Sequence, residues 1–123
     1  MIAVRPARVG EGQALTALCV RSKAHWGYDA VFMRLSAAAL MVEESDVAAG
    51  RVLVATDAVN RPLGVATVLG AGDSVDLDAL FVDPPAIGSG AGRALFGAAV
   101  RLARSLGARR MTVLADPNAA SFY

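Results

Sequence analysis

Positions 87 to 92 read Ile-Gly-Ser-Gly-Ala-Gly, placing glycines at 88, 90 and 92 between a strand-like run and a helix-like one. Such a segment can hold an anion. Glycine lets the backbone turn sharply and come close to a ligand, and the first amides of the following helix lack intrahelical acceptors at the positive end of its dipole. A glycine-rich turn also serves as a plain connection, and spacing alone does not separate the two uses. Just upstream, Asp76 and Asp78 alternate within a strand-like run and would share one face. Two carboxylates there raise the pKa of at least one of them and attract a cationic group; two solvated aspartates on a wet face are the alternative. Tyr123 carries a hydroxyl with an ordinary pKa of about 10, so at neutral pH it can donate a proton. Cys19 and His25 are each the single residue of their type, which excludes an internal disulfide and gives no zinc-ligand set.

Two familiar phosphate loops do not fit the turn. Counted from Gly88, the second glycine of a P-loop falls on Arg93, and no lysine follows. The dinucleotide fingerprint needs a glycine three residues after its second one, and Arg93 or Leu95 occupies that place.

The elements that must position these residues show in the hydrophobic periodicity. Residues 2–5 form a short strand, and residues 11–23 form a helix with Leu15, Leu18 and Cys19 on one stripe. A second helix spans 30–42. The β-branched runs 51–56 and 63–69 flank a turn at 57–62 and make a hairpin, and 75–82 is the next strand. The helix 91–106 places Ala91, Leu95, Ala98, Ala99, Leu102 and Leu106 on one side, with Arg93, Arg101 and Arg104 on the other and Gly107 as its stop. A strand follows at 109–115. Asp116 then suits a helix N-cap, with Pro117 at the first helical position.

A chain of 123 residues is one domain's worth, large enough to bury a core. A net charge of +1 gives no electrostatic case for nucleic acid or an anionic membrane. Charged residues interrupt every apolar stretch short of the roughly 18 needed to span a bilayer, and Arg5 comes too early for a secretory signal. With one cysteine, the composition suits a soluble, cytoplasmic protein.

The run 75–82, then Asp83-Pro84-Pro85, the glycine turn and Arg93-Ala94-Leu95-Phe96 resemble the GNAT N-acetyltransferases, which use acetyl-coenzyme A. Their signature of Arg or Gln, two residues, Gly, one residue, then Gly or Ala falls on Ile87, Gly90 and Gly92. Ile87 departs from it and cannot donate a hydrogen bond, but most of the family's pyrophosphate contact comes from backbone amides, which any residue except proline supplies. The resemblance is close from residue 75 to Tyr123; earlier segments match in order.

It implies an α/β (α+β mixed sheet) fold: a central, mostly antiparallel sheet flanked by helices, in one domain over 1–123 that is C-terminally incomplete because the family's last two strands are missing. It also implies an enzyme that moves an acetyl group from acetyl-coenzyme A to a primary amine by direct attack in a ternary complex, without a metal. A catalytically impaired coenzyme A-binding module, or an oligomer-forming fragment of the same fold, is the alternative. The implied coenzyme site comprises Leu80, Phe81, Val82, Ile87, Gly88, Ser89, Gly90, Ala91, Gly92, Arg93 and Asn118, although Asn118 also suits simple first-turn capping. Asp76 falls where some members carry a catalytic Glu, and Tyr123 where members protonate the departing thiolate; as a terminal residue Tyr123 could equally be frayed. For the acceptor, a small-molecule or peptide amine, the resemblance nominates His25, Trp26 and Tyr28 with Asp78. The bland reading of that cluster is a helix-to-helix turn with Trp26 in the core and His25 exposed. An unpaired edge at 109–115 carrying Met111 and Val113 would make a homo-oligomer one expectation.

Overall fold

The computed structural model describes residues 1–113. The strand end at Ala115, the helix start at Asp116, Asn118 and Tyr123 lie outside the described residues. The elements run β1 (Ala3–Pro6), α1 (Gly12–Ala24), α2 (Ala30–Leu40), α3 (Glu44–Ala48), β2 (Val52–Thr56), β3 (Pro62–Ala71), β4 (Ser74–Val82), a 3-10 turn at Pro84–Ala86, α4 (Ala91–Ser105) and β5 (Arg110–Val113). The sheet has the order β1-β2-β3-β4-β5. The first three pairings are antiparallel and β4–β5 is parallel, so the fold is a mixed α/β sheet flanked by helices. The helix expected to reach Val42 ends at Leu40. The short α3 and the 3-10 turn were not expected, because neither is long enough to show a period.

Strand alternation divides the core between the two sheet faces. Val52, Val54 and Val65 face Leu15, Leu18 and Cys19 of α1, whereas Leu53, Ala55, Ala66, Val68, Val75 and Leu77 face Ala91, Leu95, Ala99 and Ala103 of α4. All five residues of β2 are buried, as a central strand covered on both faces requires. Contrary to the expected stripe, Leu106 is exposed and Ala103 takes the buried place, because α4 ends at Ser105 and Leu106 is its cap. The stop is a Schellman arrangement: Gly107 has φ 84°, its amide donates to Arg104 O, and the Ala108 amide donates to Ala103 O. A Cβ on Gly64 would sit 2.8 Å from Leu95 Cδ1 and 2.9 Å from Phe81 O, so the glycine is what lets α4 lie down on β3.

β4 is irregular where the site begins. Val68 pairs with Leu77 and Thr67 with Ala79, leaving Asp78 as an extra residue in a β-bulge. Before the bulge the odd-numbered Val75 and Leu77 face α4; after it the even-numbered Leu80 and Val82 do. Among the described residues, pairing with β5 covers residues 74–77 of β4.

The N-terminal side is held by one ion pair. Glu11 accepts from Arg5 Nη1 at 2.8 Å and Arg5 Nη2 at 2.9 Å, and from the Arg8 amide. These bonds, the Arg5 contribution largest, hold the carboxyl at about 2 instead of its ordinary 4.5. Because the folded value is the lower one, the stabilisation is complete above pH 4.5 and is lost as pH falls towards about 2. Glu11→Gln should therefore cost about 1 kcal/mol at pH 6, after allowing for partial solvent screening. At pH 3 the gap to the parent should narrow. Urea titrations at the two pH values measure it, and an equal gap at both contradicts the assignment.

Candidate functional site

The glycine turn sits at the C-terminal end of β4. Gly88 and Gly90 adopt φ of 85° and 94°, in the left-handed region where a side chain is strained. The sequence meets that demand at both positions. Inside the turn, the Ile87 amide donates to Pro84 O, the Ser89 amide to Ala86 O, and the Ala91 amide to Ser89 Oγ at 3.3 Å. The first bond into α4 is from the Ala94 amide to Gly90 O. Among the described residues, the amides of Gly88, Gly90, Gly92 and Arg93 therefore donate to no protein acceptor. Free amides in a turn and first helical positions, at the start of a fifteen-residue helix, are the arrangement that suits an anion.

The turn opens into a cavity of about 670 Å³. Its wall contains Leu80, Phe81 and Val82 from the end of β4 and every residue from Ile87 to Arg93. All ten described positions assigned to the coenzyme thus meet in one space, built from residues next to one another in sequence. Trp26 lines the same cavity and is 47% exposed, so it is not in the core. Ser22, Lys23 and Ala86 also line it. Sequence reading missed these three, since Ser22 and Lys23 carry no motif and come near the turn only through the packing of α1 on the sheet.

A contact between distant residues bridges the end of α1 and the end of β4. Arg21 Nε and Nη2 donate to Asp83 Oδ1 and Oδ2, each at 3.0 Å, joining the last turn of α1 to the residue that follows β4. The guanidinium pKa is raised, chiefly by these hydrogen bonds.

The remaining nominated residues stand apart from the cavity wall. Asp76 pairs in register with Leu69 and Thr112 and is exposed. Asp78 is exposed at the bulge. His25 caps α1 and packs edge-on against Trp26, with ring centroids 5.1 Å apart. Tyr28 stacks on Phe32 at 4.5 Å, and the Lys23 ammonium lies 4.7 Å from the Tyr28 ring centre. Burial pushes the Cys19 thiol up to about 12, so it stays protonated and offers no thiolate nucleophile at neutral pH. Among the described residues, no group of three or more His, Cys, Asp or Glu is placed to hold a metal ion, and no helix is long and apolar enough to cross a membrane.

A five-stranded mixed sheet flanked by helices, with a cavity at the strand-to-helix turn that ends β4, defines the class: an α/β domain of the acyltransferase type. The chain belongs to the acetyltransferase (GNAT) family, whose pattern matches residues 23–123. A comparison with curated protein sequences finds no significant match. Among solved structures it is similar to apo YjaB from Escherichia coli, at 27% identity and a TM-score of 0.69, covering 100% of this chain and 79% of that one. It is also similar to the PaiA N-acetyltransferase from Thermoplasma acidophilum in complex with coenzyme A, at 15% identity and a TM-score of 0.79, covering 100% and 86% of the two chains. N-acetylglutamate synthase from Neisseria gonorrhoeae, complexed with coenzyme A and N-acetyl-glutamate, matches at 19% identity and a TM-score of 0.72. There 99% of this chain overlies 27% of the other.

Proposed function

We propose that this protein transfers an acetyl group from acetyl-coenzyme A to a primary amine, by direct attack in a ternary complex. The observation that carries the reading is the set of four amides at Gly88, Gly90, Gly92 and Arg93, without acceptors among the described residues and belonging to residues that line the cavity at the end of β4. These residues suit a pyrophosphate: the two left-handed glycines carry no Cβ to obstruct it, and Arg93 adds charge. Leu80, Phe81 and Val82 supply strand edge and apolar wall for the pantetheine arm. Two of the similar solved structures, the PaiA N-acetyltransferase and N-acetylglutamate synthase, hold coenzyme A, which supports the same ligand here.

When bound, acetyl-coenzyme A supplies a thioester whose carbonyl carbon joins the amine nitrogen, giving an amide and a free thiol. The amine must first lose a proton to expose its lone pair, and Asp76 is the proposed acceptor, with Asp78 drawing the cationic amine in. Tyr123 is the proposed proton donor to the departing sulfur and Asn118 a coenzyme contact. His25, Trp26 and Tyr28 are proposed for the acceptor side, of which Trp26 has the support of reaching the cavity. The protonated state of buried Cys19 agrees with transfer that avoids a thiol intermediate.

Calorimetric titration with coenzyme A, followed by thiol release from acetyl-coenzyme A over a panel of amines, tests the reading. Asp76→Asn should lower kcat by about 10- to 100-fold with coenzyme A affinity unchanged. A second reading, a binding module without turnover, is favoured by Ile87, an apolar residue at the loop position where relatives donate a hydrogen bond. Tight coenzyme binding with no thiol release for any amine would select it.

A further inference from the structure

The cavity has two walls, the end of β4 with the glycine turn and the last turn of α1, and among the described residues no backbone hydrogen bond joins them. Each contributes lining residues immediately beside one partner of the Arg21–Asp83 pair. Ser22 and Lys23 follow Arg21, while Val82 precedes Asp83 and Ala86 lies three residues beyond it. Asp83 is the hinge of the second wall. Its amide donates to Leu63 O at 2.8 Å, anchoring it to β3, and the 3-10 turn that leads to the glycines begins at the next residue. Its carboxylate caps no amide of that turn, so both oxygens are committed to Arg21, in two bonds of 3.0 Å.

We propose that Arg21 and Asp83 are positioning residues for the coenzyme: the pair sets the width of the cavity by locking the end of α1 against the turn that carries the free amides. The pair is poorly suited to a stabilising role. The Arg21 side chain is 52% exposed, and exposed ion pairs contribute little to folding. A bidentate fork nevertheless fixes direction as well as distance, which one hydrogen bond or a diffuse charge does not. Loosening it lets α1 and the turn drift apart and leaves a ligand to order them on binding, at the expense of affinity. The inference rests on the coenzyme reading of the site.

The test uses the full chain with Arg21→Met, Asp83→Asn and the double variant, each titrated with coenzyme A and melted without ligand. Each single variant should bind about tenfold more weakly, with the melting temperature within about 2 °C of the parent. The double variant should be no worse than either single one, because the second change removes a partner already idle. Arg21→Lys, which keeps the charge but not the fork, should recover part of the affinity. Affinity within twofold of the parent in Arg21→Met overturns the proposal, as does a double variant whose loss is the product of the single losses. Absence of coenzyme A binding by the parent overturns the functional reading together with this one; parent binding with unaltered affinity in Arg21→Met overturns this one alone.

Discussion

Gly90→Val is expected to weaken coenzyme A binding by about 100-fold, equivalent to about 2.8 kcal/mol. The cause is the backbone, not crowding. Gly90 is the N-cap of α4 with φ 94° and ψ 2°, and a Cβ placed there would meet only Ile2 Cδ1, at 3.9 Å. Valine therefore fits the space but strongly resists the left-handed conformation, being β-branched. The turn then relaxes towards negative φ, and the amides of Gly90, Gly92 and Arg93 no longer converge on one anion. Asparagine tolerates the left-handed region at modest cost, so Gly90→Asn should keep most of the affinity that valine loses. The pair of variants separates conformation from bulk. If both bind coenzyme A within threefold of the parent, the anion site has been misplaced; if both fail equally, bulk at this spot matters more than the backbone.

Leu95→Ala should cost about 3–5 kcal/mol, the largest stability loss expected from one core truncation here. Leu95 is 0% exposed, and it lies over Gly64, where the sheet has no side chain to move into a vacated space. The helix around it is lined by Ala91, Ala99 and Ala103, small residues that cannot swing to refill the hole. A loss of that size is roughly a fifth or more of the stability of an ordinary domain. Leu106→Ala on the same helix should cost under about 0.5 kcal/mol, since Leu106 is 37% exposed. Urea denaturation midpoints of the two variants give the contrast directly, and a Leu95→Ala loss below 1 kcal/mol would mean that α4 is not docked as described. Saturating coenzyme A should raise the midpoint of the Leu95→Ala protein, because a ligand that binds only the folded state offsets part of the loss.

Much of this protein follows from local pattern. The strands and three longer helices lie where apolar periodicity puts them, because a sheet face and a helix stripe each impose a fixed repeat on the chain. Gly88 and Gly90 have the left-handed backbone that their residue type suggests, and Gly107 ends α4 as expected. The ten described positions assigned to the coenzyme line one cavity because they are nearly consecutive. A strand end and a helix start joined by a short turn are held together by the chain itself, so the motif carries its own geometry.

The remainder is long-range. The bulge at Asp78 is a register between two strands, and the alternation of Asp76 and Asp78 read from sequence does not reveal that β4 takes an extra residue there. Exposure of Leu106 and burial of Ala103 depend on how far α4 extends over the sheet. Trp26 fits a core turn or a ligand wall equally well until α1 is docked, and only docking turns it to the cavity. By itself the sequence determined the order of the elements, the family and the glycine turn with its left-handed positions, all properties of residues that are neighbours in the chain. Tertiary structure alone decided that Ser22, Lys23 and Trp26 line the cavity with that turn. It also decided the contact beside them: Arg21 and Asp83 are 62 positions apart, and no local rule pairs a helix end with a strand end at that distance. Their meeting depends on both core faces packing at once, and that packing brings the end of α1 to the end of β4.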